Sequence, residues 1–363
     1  MPIQTASQAY TNEGIGGFSF RNKIINGAME IDQRNSGSAV TISDQYTLDR
    51  WSAYENTDGT FTVQRSTDAP TGFVNSLLAS ITSADSSLST NQQAIPCRQW
   101  LEGTIIRDLA WGTANAKPIT VSFWVKSSIT GTYGFTISND AGDHVYGQTY
   151  TISTANTWEY KTATIPGPTG GTWPTTTGRG AIITWSLGAG SGVTIASNGS
   201  WITPASATAV YAVVGQTNVV ATNGASWYIT GVQLETGSVA TPFELRPYGI
   251  ELQLCQRYFW AEPASSFHVS ILDGGSSEYP AAWVSHPVEM RTTPTTSFIG
   301  ISSFYYNTGS TQANFTPAGG TTSYGGNTRS GYSIKNSISN APASTHAQKV
   351  GQWSVQLSFS AEL

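Results

Sequence analysis

The segment GVQLETGSVATPFELRPYGIELQLCQRYFW, residues 231–260, changes period within itself. Together with the preceding SWYIT it reads first as a strand, in which Trp227 and Ile229 share one face while Val232 and Leu234 take the other. Since side chains alternate strictly along a strand, that slip predicts a bulge near Gly231, where glycine tolerates a positive φ. Proline-bounded turn residues come next, and then a helix. Pro247 suits the first turn, where its missing N–H costs nothing. Ile250, Leu254 and Tyr258 recur every fourth residue, flanked by Leu252, Cys255 and Phe259, and Pro263 closes the segment.

Around this segment the chain reads as strands. In TVSFWVKSS (120–128), Val121, Phe123 and Val125 face one way and Trp124 the other. GTYGFTISN (131–139) repeats the pattern with Tyr133, Phe135 and Ile137, and NTWEYKTATIPGP and GRGAIITWSL add strands divided by Pro/Gly turns. After the helix SFHVSIL restarts the alternation, and WSVQLSFSAEL (353–363) carries it without a fault. The expected fold is all-β: a jelly-roll β-sandwich, a short linking helix and a second, smaller C-terminal β-domain. The expected boundaries are an N-terminal arm over 1–21, the sandwich over 22–247, the helix over 248–260 and the second domain over 261–363.

Composition narrows the function. Only 11% of the 363 residues are charged, against roughly a quarter in typical globular chains, yet 11% are aromatic, including 12 Trp. That aromatic content supports a packed core, and 37 Gly with 16 Pro suit tight turns between short strands. A net charge of −5 argues against a nucleic-acid partner. No apolar run approaches the ~20 residues of a membrane span, and the N-terminus lacks the basic and apolar regions of a signal peptide. Cys97 and Cys255 are expected as two separate reduced thiols.

Catalytic motifs do not emerge. GAGSG (188–192) opens no helix and reads as a turn, and His144, His268, His286 and His346 show no ligand spacing. Paired carboxylates could come from Asp140 with Asp143, Glu30 with Asp32, or Asp273 with Glu278, each of which also reads as turn chemistry. The stronger pattern is aromatic residues among polar loops. Trp173 and Trp201 sit in turn-rich surroundings, as do Tyr305, Tyr306 and Tyr324 in YYNTGSTQANFTPAGGTTSYGGNTRSGYS. Such rings stack on sugar faces while Arg179, Asn327 and Arg329 offer donors to hydroxyls, so these residues are the candidate glycan or receptor contacts. Trp124, Trp158, Trp185 and Trp227, borne on strands, read as structural.

NKIINGAMEIDQRNSG (22–37), YTLDRW (46–51), FWVKSS (123–128), NTWEYKTATIPG (156–167) and WYITGVQLETGSVATPFELRPYGIELQLCQRYF (227–259) together resemble virion fibre proteins of tailed bacteriophages, marine ones especially. Those proteins carry a jelly roll similar to carbohydrate-binding modules. Glu251 matches the last block, while Ile250 replaces its usual acidic residue; HPVEMRTTPTTS (286–297) is also similar to the segment that succeeds the block in those proteins. The resemblance implies a non-enzymatic, homotrimeric tail fibre or receptor-binding protein. It would be assembled in the host cytoplasm, joined to other virion proteins through its N-terminal arm, and aimed at a host surface glycan or protein. A head fibre or capsid decoration protein is the alternative, and a glycan depolymerase a further one. Ile250, Leu254 and Tyr258 are then expected at a domain or oligomer junction. No cofactor is expected. The structural calcium common in such jelly rolls would need acidic residues where Thr230 and Gly231 stand, which leaves Glu30 or Asp32 with backbone carbonyls as the remaining ligands.

Overall fold

A computed structural model describes residues 20–261, 265–272, 279–307, 312–315, 324–327, 329, 331–335 and 350–363, with side chains for 20–261, 285–295, 329 and 358–363. The first strands are β1 (Val40–Thr41), β2 (Asp44–Tyr46), β3 (Ser52–Glu55), β4 (Thr60–Ser66), β5 (Ser76–Ser83) and β6 (Gln93–Glu102). After one helical turn (Gly103–Ile106) come β7 (Ile119–Ser127), β8 (Gly131–Asn139), β9 (Val145–Ile152), β10 (Glu159–Ile165), β11 (Arg179–Ser186), β12 (Gly188–Ala189), β13 (Trp201–Ile202) and β14 (Ser226–Thr236). They form two antiparallel sheets. One is six-stranded in the order β1-β4-β5-β14-β7-β10; the other runs β13-β9-β8-β11-β6-β3-β2, with β12 beside β6.

Alternation decides which faces meet. Val121, Phe123 and Val125 of β7, and Trp227, Ile229, Val232 and Leu234 of β14, are buried against Tyr133, Phe135 and Ile137 of β8 and Trp185 of β11. Phe123, Phe135 and Trp185 lie 5.5–5.8 Å apart between centroids, two of the three contacts edge-on, as ring quadrupoles prefer. Beyond the second sheet, the 193–213 loop packs Ile195, Val210 and Val213 on Val145. Gly134 lets it approach, since a Cβ there would meet Val213 Cγ2 at 2.1 Å.

The junction departs from expectation in one respect. The helix is shorter: Tyr248–Gln256, entered through Pro247 as its N-cap. Tyr258 lies just beyond it, and Phe259–Ala261 is already a strand, β15. Where the helix ends, the Tyr258 hydroxyl donates to the Glu102 carboxylate at 2.6 Å. Cys255 and Tyr258 are buried with Ile25 and Ile31, and Leu252, Leu254 and Leu363 pack partly buried on them. Ile250 is half-buried. Both cysteines are buried and unpaired.

Strands β16 (Ser265–Leu272), β17 (Tyr279–Ser285), β18 (Thr295–Asn307), β19 (Gln312–Phe315), β20 (Tyr324–Asn327), β21 (Gly331–Lys335) and β22 (Val350–Ser360) make a third antiparallel sheet. Its order among the described residues is β19-β18-β22-β16-β17-β21-β20, and β15 pairs with β22. The 1–19 arm, Asp273, Glu278 and His346 lie outside the described residues.

Charges bind these parts together. The fully buried Arg50 guanidinium pairs with Glu362, donates to the Trp100 carbonyl at 2.6 Å and stacks 3.6 Å from the Tyr258 ring. Burial opposes the Arg50 charge most strongly, but Glu362 together with Tyr258, Tyr46 and Cys255 outweighs it and the pKa is raised. Arg34 also reaches Glu362, at 2.9 Å, and Arg257 reaches Glu102 at 2.9 Å. Beside them burial raises the Asp49 carboxyl to about 6, despite nearby Arg34 and two donors from Gln33.

Removing one partner of a buried pair strands the other, so Glu362→Gln is expected to lower the unfolding free energy by about 3 kcal/mol in urea titrations. Asp49 gives the opposite sign of an ordinary carboxylate. Its folded pKa lies above the unfolded one, so its contribution is complete below about pH 4 and lost as pH rises through about 6. Relative to Asp49→Asn, the wild type should therefore lose on the order of 2–3 kcal/mol between pH 4 and 7.5, and a pH-independent difference would contradict that assignment.

Candidate functional site

Parity places a second set of side chains on the outer face of the six-stranded sheet. Ser122, Trp124 and Lys126 point outward from β7, because Val121, Phe123 and Val125 point in. Opposite them β10 presents Tyr160 against Trp124 and Thr162 against Ser122. The Trp124 and Tyr160 rings lie 5.3 Å apart, tilted by 46°, with Tyr160 45% exposed.

The bulge in β14 supplies the floor. Its pairing with β7 slips between Thr230 and Gln233, and Gly231 takes φ +61°. Trp227, Ile229, Val232 and Leu234 thereby all stay in the core. Phe73 lies over Gly231, where a Cβ would meet its ring at 2.6 Å, and packs edge-on to Phe243 at 5.1 Å. Ala240, Thr241 and Pro242 complete one wall, giving an open groove of about 610 Å³. Gln233 holds that wall: its side-chain amide lies 3.2 Å from the Thr241 carbonyl, while the Glu235 carboxylate accepts the Thr241 amide at 2.8 Å.

No charged side chain lines the groove; its surfaces are rings, hydroxyls and a proline. Adjacent to it, Lys126 bridges to Asp68 and lies 4.2 Å from the Tyr228 ring centroid and 5.2 Å from that of Trp158. The Lys126 bond and the Trp158 indole N–H, 3.1 Å from Asp68, hold that carboxyl below its usual range. Rings beside hydroxyls can stack on an apolar sugar face while bonding its edge.

The residues expected from sequence are distributed elsewhere. Trp173 and Trp201 do come together, but with Trp111: the three rings contact edge-on at 4.7, 5.9 and 5.5 Å. Their indole N–H groups donate to the carbonyls of Gly170, Pro166 and Lys117. Trp173 is buried and Trp201 half-buried, so this cluster closes one end of the sandwich and offers no open ring face at Trp173. Arg179 is exposed on the other sheet, over Trp100 at 4.2 Å. Arg329 pairs with Glu289 at 3.1 Å and donates to the Met290 carbonyl at 2.9 Å. Tyr305 and Tyr306 lie in β18, Tyr324 and Asn327 in β20, with side chains outside the described residues.

The carboxylate pairs fare differently from one another. Asp32 accepts the amides of Asn35 and Gly37, a turn role. Burial first, and then nearby Glu251, raise the Glu30 pKa, yet the space lined by Glu30 and Glu251 is about 10 Å³, room for one water, and Asp32 does not line it. Asp143 accepts from Asn139 at 2.6 Å and meets His144 at 3.0 Å. Among the described residues no three His, Cys, Asp or Glu converge as a metal site, and no helix is long and apolar enough to cross a membrane. Trp124 and Tyr160 are legible as an outward pair only by combining the parities of two strands; β7 read alone leaves Trp124 structural.

No protein-family model matches the sequence, and no curated protein matches it either. Solved structures resemble it at low similarity. A putative sugar binding protein from Bacteroides thetaiotaomicron has a TM-score of 0.36 at 11% identity, over 60% of this chain and all (100%) of that one. The family 11 carbohydrate-binding module from Clostridium thermocellum gives 0.29 and 13%, over 57% of this chain and 100% of the module. The enzymatically active domain of bacteriophage CBA120 tailspike protein 4 gives 0.31 and 12%, over 60% of this chain but only 22% of that one.

Gly231→Ala should cost about 2 kcal/mol or more, combining the left-handed backbone penalty with displacement of Phe73. A melting temperature unchanged from wild type would show that neither constraint acts.

Proposed function

We propose that the chain is a non-enzymatic virion protein of a tailed bacteriophage, a tail fibre or receptor-binding protein that attaches through glycans on the host surface. The observation that carries the glycan reading is the open, uncharged groove over Gly231, with Trp124, Tyr160, Phe73 and Phe243 beside Ser122, Thr162 and Thr241. A sugar chain laid there meets ring faces on one side and hydroxyls on the other. The virion role is supported by the sequence motifs between residues 22 and 260 and implies assembly in the host cytoplasm. The reading needs no cofactor. A homotrimer fits exposed Leu245, Tyr248 and Phe20, at 66%, 59% and 52%, and would multiply weak single-site affinity.

Adsorption competition tests this. Purified protein should block phage attachment to host cells, and Trp124→Ala, which removes half of the ring pair, should need about tenfold more protein for equal blocking. Equal potency of Trp124→Ala sinks the groove; no blocking by a folded wild type favours the head fibre or decoration protein; release of reducing ends from host polysaccharide supports a depolymerase.

A further inference from the structure

The groove has no charge with which to read an acidic sugar, but the opposite sheet does. Parity along β6 sends Cys97 and Leu101 into the core and Arg98 and Trp100 outward. The exposed Arg179 guanidinium lies over the Trp100 ring, its Cζ 4.2 Å from the centroid. Among the described residues the Arg179 side chain makes no hydrogen bond and no ion pair; its charge acts on the nearby Tyr46 hydroxyl, which itself donates to the Leu363 carbonyl.

Its neighbours are arranged to leave it so. Arg98 stacks over Tyr54 at 5.6 Å and is matched by Asp44 at 2.8 Å. Arg50 fixes Trp100 from behind through the Trp100 carbonyl and is matched by Glu362. Glu102, which faces Arg179 across the strand pair, is taken by Arg257 and Tyr258. In a chain of net charge −5, Arg179 is thus an unmatched, ring-supported cation. A guanidinium held on an aromatic ring keeps its donor edge free for a bidentate carboxylate and gives up less rotamer entropy on binding. The preceding turn exposes Thr175 and Thr176.

We propose that Arg179 on Trp100 is a second glycan subsite, which takes the carboxylate of an acidic sugar residue in the surface polysaccharide. The inference rests on the glycan-binding reading. It assigns the two outer faces of the sandwich to different chemistry, neutral sugar at Trp124 and acidic sugar at Arg179.

The test uses the full chain with a tetrasaccharide of uronic acid residues and its carboxyl-reduced, neutral counterpart, each titrated by calorimetry into wild type, Arg179→Gln, Arg179→Lys and Trp124→Ala. The acidic ligand should bind wild type at least about tenfold more tightly than Arg179→Gln, with Arg179→Lys between them and with affinity falling as salt rises. The neutral ligand should not distinguish wild type from Arg179→Gln. Equal binding of the acidic ligand by wild type and Arg179→Gln overturns the proposal, as does no binding of it by wild type. The groove reading stands or falls separately, on whether Trp124→Ala weakens the neutral ligand.

Discussion

A guanidinium that has left water entirely needs its charge matched within the protein, and Arg50 finds that match through parts of the chain far apart in sequence, with only its Nε left without an acceptor among the described residues. Glu362 supplies the charge, Trp100 a carbonyl and Tyr258 a ring face. An isolated buried cation would cost several kcal/mol, so each of these groups is held in place by the others. The turn bearing Arg50 is fixed in its own right. Asn26 donates to the carbonyls of Ile31 and Asp49, and the Trp51 indole donates to the Asn26 carbonyl. Arg246 completes the clasp by donating to the Ile24 carbonyl at 3.1 Å and pairing with Glu251, which in turn accepts the Asn26 amide. The stretches NGAMEI, YTLDRW and FELRPYGIEL therefore meet in one buried polar network.

That network gives the most specific motifs of the sequence a structural task. Apart from the Nε atoms of Arg50 and Arg246, which find no acceptor among the described residues, Asn26, Arg50, Arg246 and Glu251 have their side-chain polar groups committed to backbone and to charged partners. What they fix is the end of β14, and so the start of the 237–247 segment. Along β14, the bulge at Gly231 reverses parity without expelling an apolar residue, which lets Phe73 settle on bare backbone. One backbone irregularity thus serves packing on the inner face and shapes the floor of the groove on the outer one.

Much of the sandwich is legible in the sequence because period-2 alternation is a local signal. Phe123, Phe135, Trp227 and Val232 fall inside as their spacing requires, and the parity slip at Gly231 is enough by itself to mark the bulge. Two kinds of information are not local. The helix ends at Gln256, just before Tyr258 bonds to Glu102 far back in the chain, whereas spacing alone carries the helical stripe further. The role of each tryptophan depends on its neighbours in space. Trp173, in a glycine-rich turn, reads as free for a ligand but is enclosed by Trp111 and Trp201. Trp124, in a regular strand, reads as structural but faces Tyr160 and solvent.

The distribution of charge gives the groove its character. Most arginines with close partners are drawn to the junction of the sheets, where Glu102, Glu251 and Glu362 neutralise them, while the groove is left with rings and hydroxyls. Binding there would depend on stacking and short-range hydrogen bonds, which salt screens little. The groove walls come from the segments carrying Phe73 and Phe243, which touch each other edge-on and rest on Gly231 without entering the core. Changes at those two rings can reshape the groove at little cost to the sandwich beneath, whereas changes at Trp227 or Val232 cannot, because both are buried among the core rings. If the groove binds a ligand, its preference would therefore be set by a small wall on the sheet, anchored by Gln233 and Glu235 and free of charged side chains itself.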